Sequence, residues 1–136
     1  MASRASDSAT GIGICWPDAS ITDSKIEVSG AGLDYAQGIL LGNASYAEVT
    51  DSQFFAENAT TNYAVHETAF GNTHARASEF TARPSGAGSW AVYIFGEADA
   101  TFEASLLNGD IFSNFAPTLR CLQSYTPTAE LPTTCT

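Results

Sequence analysis

The stretch ITDSKIEVSG at residues 21–30 returns in nearly the same form as VTDSQFFAEN at residues 49–58. Two weaker copies follow, ARASEFTARP at residues 75–84 and FEASLLNGDI at residues 102–111. One serine anchors each copy, and the serines are spaced by 28, 26 and 27 residues: Ser24, Ser52, Ser78 and Ser105. A period of about twenty to fifty residues is typical of repeat architectures.

Apolar and polar residues alternate within each copy. The position two residues after the serine is always large and apolar, and its neighbours are mostly polar. This period of two predicts a short, half-buried β-strand. No segment keeps a helical period over eleven residues, so we predict no helix. Between the copies, the apolar runs at residues 38–41, 62–70 and 90–95 each end at a glycine and predict further strands.

A unit of about 27 residues with two strands fits one coil of a solenoid, because a propeller blade needs four strands and about forty residues. We therefore predict an all-β fold, a single-stranded right-handed parallel β-helix of about four rungs. A β-sandwich of about eight strands is the alternative, but it does not explain why the serines recur at a nearly constant spacing. In a β-helix the serines would form a column at a bend. The predicted interior column is Ile26, Phe54, Phe80 and Leu107.

The repeat also predicts the organisation of the chain. Residues 1–17 are an N-terminal segment that acts as a weak cap or linker, residues 18–118 form the rungs, and residues 119–136 are a C-terminal capping tail. The first anchored strand has no evident neighbour on its N-terminal side. Since an unpaired strand edge invites pairing, we expect self-association or an upstream domain at that edge.

Charge limits the partners. Fifteen acidic and five basic residues give a net charge of −10. Nucleic acid and anionic membranes would be repelled, which leaves a cation, a basic protein or a neutral glycan as candidates. The longest apolar run, WAVYIF, has six residues, so we predict no membrane insertion. No signal peptide is visible in this chain.

Three cysteines are present, and two of them close the segment CLQSYTPTAELPTTC. A disulfide between Cys121 and Cys135 would stabilise that segment by about 3 kcal/mol, whereas two thiols are the alternative in a reducing compartment. Cys15 is then left as a buried small residue or an intermolecular partner. The chain has no C-x-x-C pair, which argues against a zinc site.

The C-terminal third contains A-x-x-x-x-S-x-L-x-G from Ala100 to Gly109, followed by Cys121, Tyr125 and Cys135. This arrangement resembles the C-terminal ends of bacterial right-handed parallel β-helix repeat proteins. The resemblance implies a secreted or surface-exposed protein whose tail is pinned by Cys121–Cys135. A virion component would also lack a signal peptide. The resemblance implies no particular activity, because the fold hosts lyases, hydrolases, adhesins and fibre proteins.

Candidate sites are few. β-Helix enzymes that act on acidic polysaccharides resemble one another in placing carboxylates and a base on one face. Asp51, Arg76 and Glu103 are the nearest candidates for such a catalytic group. Asp23 and Asp51 should stack about 5 Å apart and are a weak calcium candidate, since calcium takes six to eight oxygens. We therefore predict no metal and no cofactor. His66 and His74 are expected to be structural or solvent-exposed.

These observations favour a non-enzymatic β-helix module with a structural, fibre or surface-adhesion role, for example as the C-terminal part of a larger secreted or virion-associated protein. A carbohydrate-active enzyme, either a polysaccharide lyase or a glycoside hydrolase, is one alternative. A glycan-binding module of the same fold is another. Its expected signature is Tyr63, Trp90 or Tyr93 lined up on one outer face.

Overall fold

The structure is a computed structural model that describes residues 8–15, 18–42, 45–68, 70–84, 88–114 and 119–135. Within these ranges it contains strands and no helix, hence none long and apolar enough to cross a membrane. The strands are β1 (Ser8–Cys15), β2 (Asp18–Thr22), β3 (Lys25–Ser29), β4 (Tyr35–Gly42), β5 (Tyr46–Thr50), β6 (Gln53–Glu57), β7 (Thr61–Thr68), β8 (Asn72–Arg76), β9 (Glu79–Ala82), β10 (Gly88–Phe95), β11 (Asp99–Glu103), β12 (Leu106–Asn108), β13 (Asp110–Ser113) and β14 (Leu119–Leu122).

The strands form three sheets that the chain visits in turn. Sheet 1 has the order β1-β4-β7-β10-β13, sheet 2 the order β2-β5-β8-β11-β14, and sheet 3 the order β3-β6-β9-β12. Every pairing between these strands is parallel. The predicted parallel β-solenoid is therefore confirmed, and the sandwich alternative is excluded because its sheets would be antiparallel.

The length of each turn follows from the register of sheet 1. Ser8 pairs with Tyr35, Tyr35 with Thr61, and Thr61 with Gly88, so these turns take about 27 residues each. The last turn is shorter, since Trp90 pairs with Asp110. The regular repeat thus covers about three turns, slightly fewer than the four rungs predicted.

The interior column expected from the repeat lies in sheet 3. Ile26 pairs with Phe54, Phe54 with Phe80, and Phe80 with Leu107. Phe54, Phe80 and Leu107 are fully buried, whereas Ile26 is half-buried at the end of the column. The rings of Phe54 and Phe80 stack at 5.4 Å with an interplanar angle of 3°. In-register stacking of like residues explains why positions recur in the sequence.

The serine column forms a hydrogen-bond ladder at the bend between sheets 2 and 3. The backbone N–H of Ser24 donates to Ser52 Oγ at 3.1 Å, and the same bond links Ser52 to Ser78 and Ser78 to Ser105. Ser105 donates likewise to Ser124 Oγ, so the ladder has a fifth member that the repeat did not predict. Each hydroxyl donates to the carbonyl two residues earlier. The residue before each serine has φ between 46° and 50°, in the left-handed region: Asp23, Asp51, Ala77, Ala104 and Gln123.

Both ends of the solenoid differ from the predicted boundaries. The ladder of strands begins at Ser8 rather than at residue 18, because β1 pairs in register with β4 along its length. At the other end, β14 continues sheet 2 through its pairing with β11, so residues 119–122 belong to the solenoid as well as to the tail. The remainder of the predicted N-terminal segment, residues 1–7, 16 and 17, lies outside the described residues.

The interior is least covered at its N-terminal end. Ile14, Ile21 and Val28 retain 6–8% of their accessible surface, whereas their partners in the next turn are 0% exposed. β1, β2 and β3 are the outermost strands of the three sheets at this end. The association expected at this edge stays a prediction.

The C-terminal end is covered by the tail, and the predicted disulfide between Cys121 and Cys135 is confirmed. Two further backbone bonds hold the tail in place, from Cys121 N–H to the Thr133 carbonyl and from Leu131 N–H to the Ser124 carbonyl, both at 2.8 Å. Leu131 packs against the core from this side. The tail is therefore a cap fixed by one covalent bond and local hydrogen bonds.

Reduction of this disulfide is expected to lower the free energy of unfolding by about 3 kcal/mol, because it restores the chain entropy of a loop of about fifteen residues in the unfolded state. Urea unfolding of the Cys15→Ser variant with and without reductant measures the effect without thiol exchange. The matched control is the Cys15→Ser/Cys121→Ser/Cys135→Ser variant, which reductant should leave unchanged. Equal unfolding midpoints for the oxidised and reduced Cys15→Ser protein would contradict the expectation.

Candidate functional site on the first sheet

The structure brings two of the three catalytic candidates together. Arg76 Nη2 and His74 Nε2 both contact Glu103 Oε2, at 3.3 Å and 2.6 Å, on the outer side of sheet 2. Hydrogen bonds first from His74 and then from Arg76 lower the pKa of the Glu103 carboxyl. A carboxyl that stays ionised in this way is a poor general acid.

Asp51 follows Thr50, the strand partner of Arg76, and lies at the bend that leads into sheet 3. Its backbone N–H donates to the Arg76 carbonyl at 3.1 Å, and its exposed side chain lines an open groove of about 470 Å³ that ends at Tyr125. The floor of this groove is the serine ladder, whose hydroxyls already donate to backbone carbonyls. Glu79, beside it, accepts hydrogen bonds from Gln53 and Thr81. These polar groups are therefore largely occupied within the fold.

The calcium candidates Asp23 and Asp51 occupy equivalent places in successive bends, and both are exposed. In the described ranges no three His, Cys, Asp or Glu side chains come close enough to hold a metal ion. The two carboxylates alone supply fewer oxygens than calcium requires.

Aromatic side chains cover much of the outer surface of sheet 1. Along β7 and β10 the outward positions fall in register, so Tyr63 pairs with Trp90 and His66 with Tyr93. Tyr93 pairs in turn with Phe112 of β13. Because residues in register on one face of a sheet stand about 5 Å apart, these side chains form one continuous surface. We define the aromatic face as Tyr35, Tyr63, His66, Trp90, Tyr93 and Phe112.

Ring contacts join the whole aromatic face. Tyr93 is at its centre, with ring centroids at 5.3 Å from Tyr63, 5.4 Å from Trp90 and 4.8 Å from Phe112. Tyr93 and Phe112 are stacked, whereas Trp90 stands at 70° to Tyr93. Trp90, Tyr93 and Phe112 are each half-buried, and Tyr35 is 37% exposed. The three residues expected to mark a glycan-binding face are thus brought together here.

His66 belongs to the same surface as a neutral ring. Burial lowers the pKa of His66 from 6.5 to about 4. Its Nδ1–H donates to Gln37 Oε1 at 2.6 Å, and the Gln37 amide donates to Thr10 Oγ1 at 3.3 Å. This chain of hydrogen bonds fixes the imidazole, which stacks on Tyr63 at 4.5 Å. Burial, and then the neighbouring Tyr93 and Tyr35, raise the pKa of Tyr63, so its hydroxyl stays protonated.

No lysine or arginine of the described part of the chain lies on sheet 1. Lys25 is on β3, Arg76 on β8 and Arg120 on β14, while Arg83 follows β9 and pairs with Glu57 at 3.1 Å. Asp110, on β13, brings a carboxylate to the edge of the aromatic face beside Trp90. The surface is therefore aromatic, hydroxyl-rich and locally acidic.

Sequence reasoning found Tyr63, Trp90 and Tyr93 but missed Phe112 and the place of His66. The position of His66 could have been predicted from the repeat. Tyr93, its neighbour on the outer face, follows it by one repeat of 27 residues. Phe112 follows Tyr93 after the shortened last turn, so a fixed repeat could not have placed it. Comparisons with protein-family models, curated proteins and solved structures found no match for this chain.

Proposed function

We propose that the chain is a non-enzymatic adhesion module that binds neutral glycans on the aromatic face of sheet 1. The observation that carries the proposal is the continuous contact of six rings, from Tyr35 to Phe112, on one outer surface of a rigid solenoid. Aromatic residues with a polar tip are the side chains most enriched where proteins recognise partners. A surface built on strands also keeps its geometry better than one built on loops.

Sugars fit this surface by their own chemistry. A pyranose ring carries C–H groups on its faces and hydroxyls around its rim, so it can stack on an aromatic ring while hydrogen-bonding at its edge. Tyr93, which is half-buried, and the exposed Asp110 can supply such partners. The net charge of −10 and the lack of a described lysine or arginine on sheet 1 favour an uncharged ligand.

An enzymatic role is less well supported. Glu103 is held ionised by His74 and Arg76, and Asp51 lines the separate groove along the bend. Glycosidase chemistry needs two carboxyl groups on either side of the bond that is cleaved, one of them protonated. At the edge of the aromatic face lies one carboxylate, that of Asp110. No second acidic residue among the described residues lies beside it.

The disulfide supports a secreted or cell-surface location, since such bonds persist in oxidising compartments. An adhesin or fibre component works in that setting, as would a protein on a virion surface. Under this proposal the N-terminal edge, where Ile14, Ile21 and Val28 are least covered, is the place at which another copy or an upstream domain stacks.

Affinity electrophoresis in gels that contain one neutral polysaccharide each tests the proposal. A panel of β-glucan, mannan, xylan and starch, with alginate and pectin as acidic comparators, covers the chemistry. At least one neutral polysaccharide should retard the protein. The Tyr93→Ala variant should migrate freely in that gel, because Tyr93 is central to the ring contacts.

The matched control is Phe70→Ala, which removes an aromatic ring that is 60% exposed and lies outside the aromatic face. It should be retarded like the unaltered protein. Circular dichroism and the unfolding midpoint must show that Tyr93→Ala remains folded. Retention only by acidic polysaccharides, or equal retention of both variants, would overturn the proposal.

A further inference from the structure

Trp90 owes its orientation to a glycine two residues earlier in the same strand. A Cβ built on Gly88 would lie 2.8 Å from Trp90 Nε1, 3.4 Å from Cε2 and 3.7 Å from Cδ1. The first of these distances is too short for a real Cβ. The indole therefore leans along β10 over Gly88, in space that any other residue at this position would occupy.

The Nε1 edge of the indole is the part of the ring nearest Gly88, and the ring also contacts Tyr93 and Phe112. Trp90 is half-buried in this orientation, and its ring plane stands at 70° to Tyr93 and 71° to Phe112. Tyr93 and Phe112 stack on each other at 4.8 Å and form a wall on one side of the indole. The result is a platform bordered by an aromatic wall.

Polar groups stand on both sides of this platform along the solenoid axis. Tyr63 of β7 pairs with Trp90 in register, and Asp110 of β13 pairs with it at a β-bulge, so each is one strand away. Strands in register lie about 5 Å apart, which is close to the width of one sugar ring. The Tyr63 hydroxyl can donate and accept, whereas the Asp110 carboxylate accepts only.

We propose that Trp90 is the stacking platform for one uncharged pyranose unit of a glycan, and that Asp110 binds its hydroxyls and rejects acidic sugars. The inference rests on the proposed function and assigns its ligand class to one subsite. Hydroxyl-to-carboxylate hydrogen bonds are about twice as strong as those between neutral groups, so Asp110 contributes affinity as well as selectivity. A uronate stacked on Trp90 would bring its own carboxylate against Asp110, and like charges disfavour that complex.

Isothermal titration with matched hexasaccharides, one neutral and one the corresponding uronate, tests the subsite. The Trp90→Ala change should lower affinity for the neutral sugar by about tenfold, which corresponds to about 1.4 kcal/mol, because the aromatic stacking surface is lost. Gly88→Ala should lower it several-fold, because the new methyl group displaces the indole while every ring remains present. Phe70→Ala is again the control and should bind like the unaltered protein.

The Asp110→Asn change gives a readout that a purely structural role would not produce. It should lower the affinity for the neutral sugar a few-fold and raise the affinity for the uronate. The ratio of the two affinities then shifts toward the acidic ligand. Unfolding midpoints of all variants establish that they are folded.

The outcomes separate the two proposals. If the unaltered protein binds no neutral glycan, the proposed function fails and the subsite fails with it. If binding survives Trp90→Ala and Gly88→Ala but is lost in Tyr93→Ala, the aromatic face binds glycans at another place and only the subsite is wrong. An unchanged ratio of affinities in Asp110→Asn would overturn the role given to Asp110.

Discussion

Replacing Glu67 with methionine is expected to stabilise the protein by about 3 kcal/mol at pH 7 and by about 5 kcal/mol at pH 9. Glu67 is fully buried in sheet 1 between Leu41 and Ile94, two apolar neighbours in register. Its closest polar neighbour is the buried Thr73 hydroxyl, and within the described residues neither group makes a hydrogen bond of good geometry. Methionine keeps the length of the side chain and removes the buried acid.

The pH dependence follows from the direction of the pKa change. Burial raises the pKa of Glu67 from 4.5 to about 8. An acid whose pKa is higher in the folded state loses protons first in the unfolded state, so stability falls as pH rises from about 4.5 to about 8. Well below pH 4.5 the carboxyl is protonated in both states, so the pH-dependent part of the stability difference between Glu67→Met and the unaltered protein disappears.

Urea unfolding at pH 7, 8 and 9 isolates this effect. Over that range His66, whose folded-state pKa is lowered from 6.5 to about 4, is neutral in the folded state and largely neutral in the unfolded state, so it adds little slope. The control is Glu48→Met, at an exposed position on β5, which should change stability by no more than about 0.5 kcal/mol. Parallel stability profiles for Glu67→Met and the unaltered protein would show that Glu67 is not a buried acid.

Replacing Phe80 with alanine is expected to destabilise the protein by about 3–5 kcal/mol, the usual cost of emptying an aromatic site in a packed core. Phe80 is fully buried at the centre of the interior column. Its ring lies 5.4 Å from Phe54 and 5.3 Å from Phe102, so its removal opens the contacts between two sheets.

Phe55→Ala is the matched control, because Phe55 lies next to Phe54 in β6 but points outward and is only partly buried. Its loss should cost about 1 kcal/mol or less. The Phe55→Ala variant also tests the register of β6, since a slip of one residue there would turn Phe55 inward and Phe54 outward. A larger loss in Phe55→Ala than in Phe80→Ala, measured by urea unfolding, would contradict the register described here.

The anchored strands could be predicted because each interior position repeats the same kind of residue between polar neighbours. β1 could not be predicted in this way, since its sequence SATGIGIC contains two glycines and lacks a large aromatic residue. Gly11 is required by packing, as a Cβ there would lie 2.5 Å from Ile26 Cγ2. Ser124 was missed because it follows Ser105 by 19 residues, in the shortened last turn.

The aromatic face was only partly visible in the sequence for a similar reason. In β7 the period of two breaks, because four successive residues, 62–65, are buried; Tyr63 among them faces outward but is covered by its ring contacts. His66 therefore takes an outward position and Glu67 an inward one, which strict alternation does not indicate. The lean of Trp90 over Gly88 depends on a side-chain rotamer, and no spacing rule predicts that.

The central claim, that the aromatic face is the binding surface, is tested most directly by mapping amide chemical shifts during titration with the neutral hexasaccharide. We expect the largest changes at the Trp90 indole N–H and at the amides of β7, β10 and β13 around Tyr63, Tyr93 and Phe112. The groove that ends at Tyr125, on another side of the solenoid, should show none. No change at millimolar sugar, or changes confined to the groove around Asp51 and Tyr125, would contradict the claim.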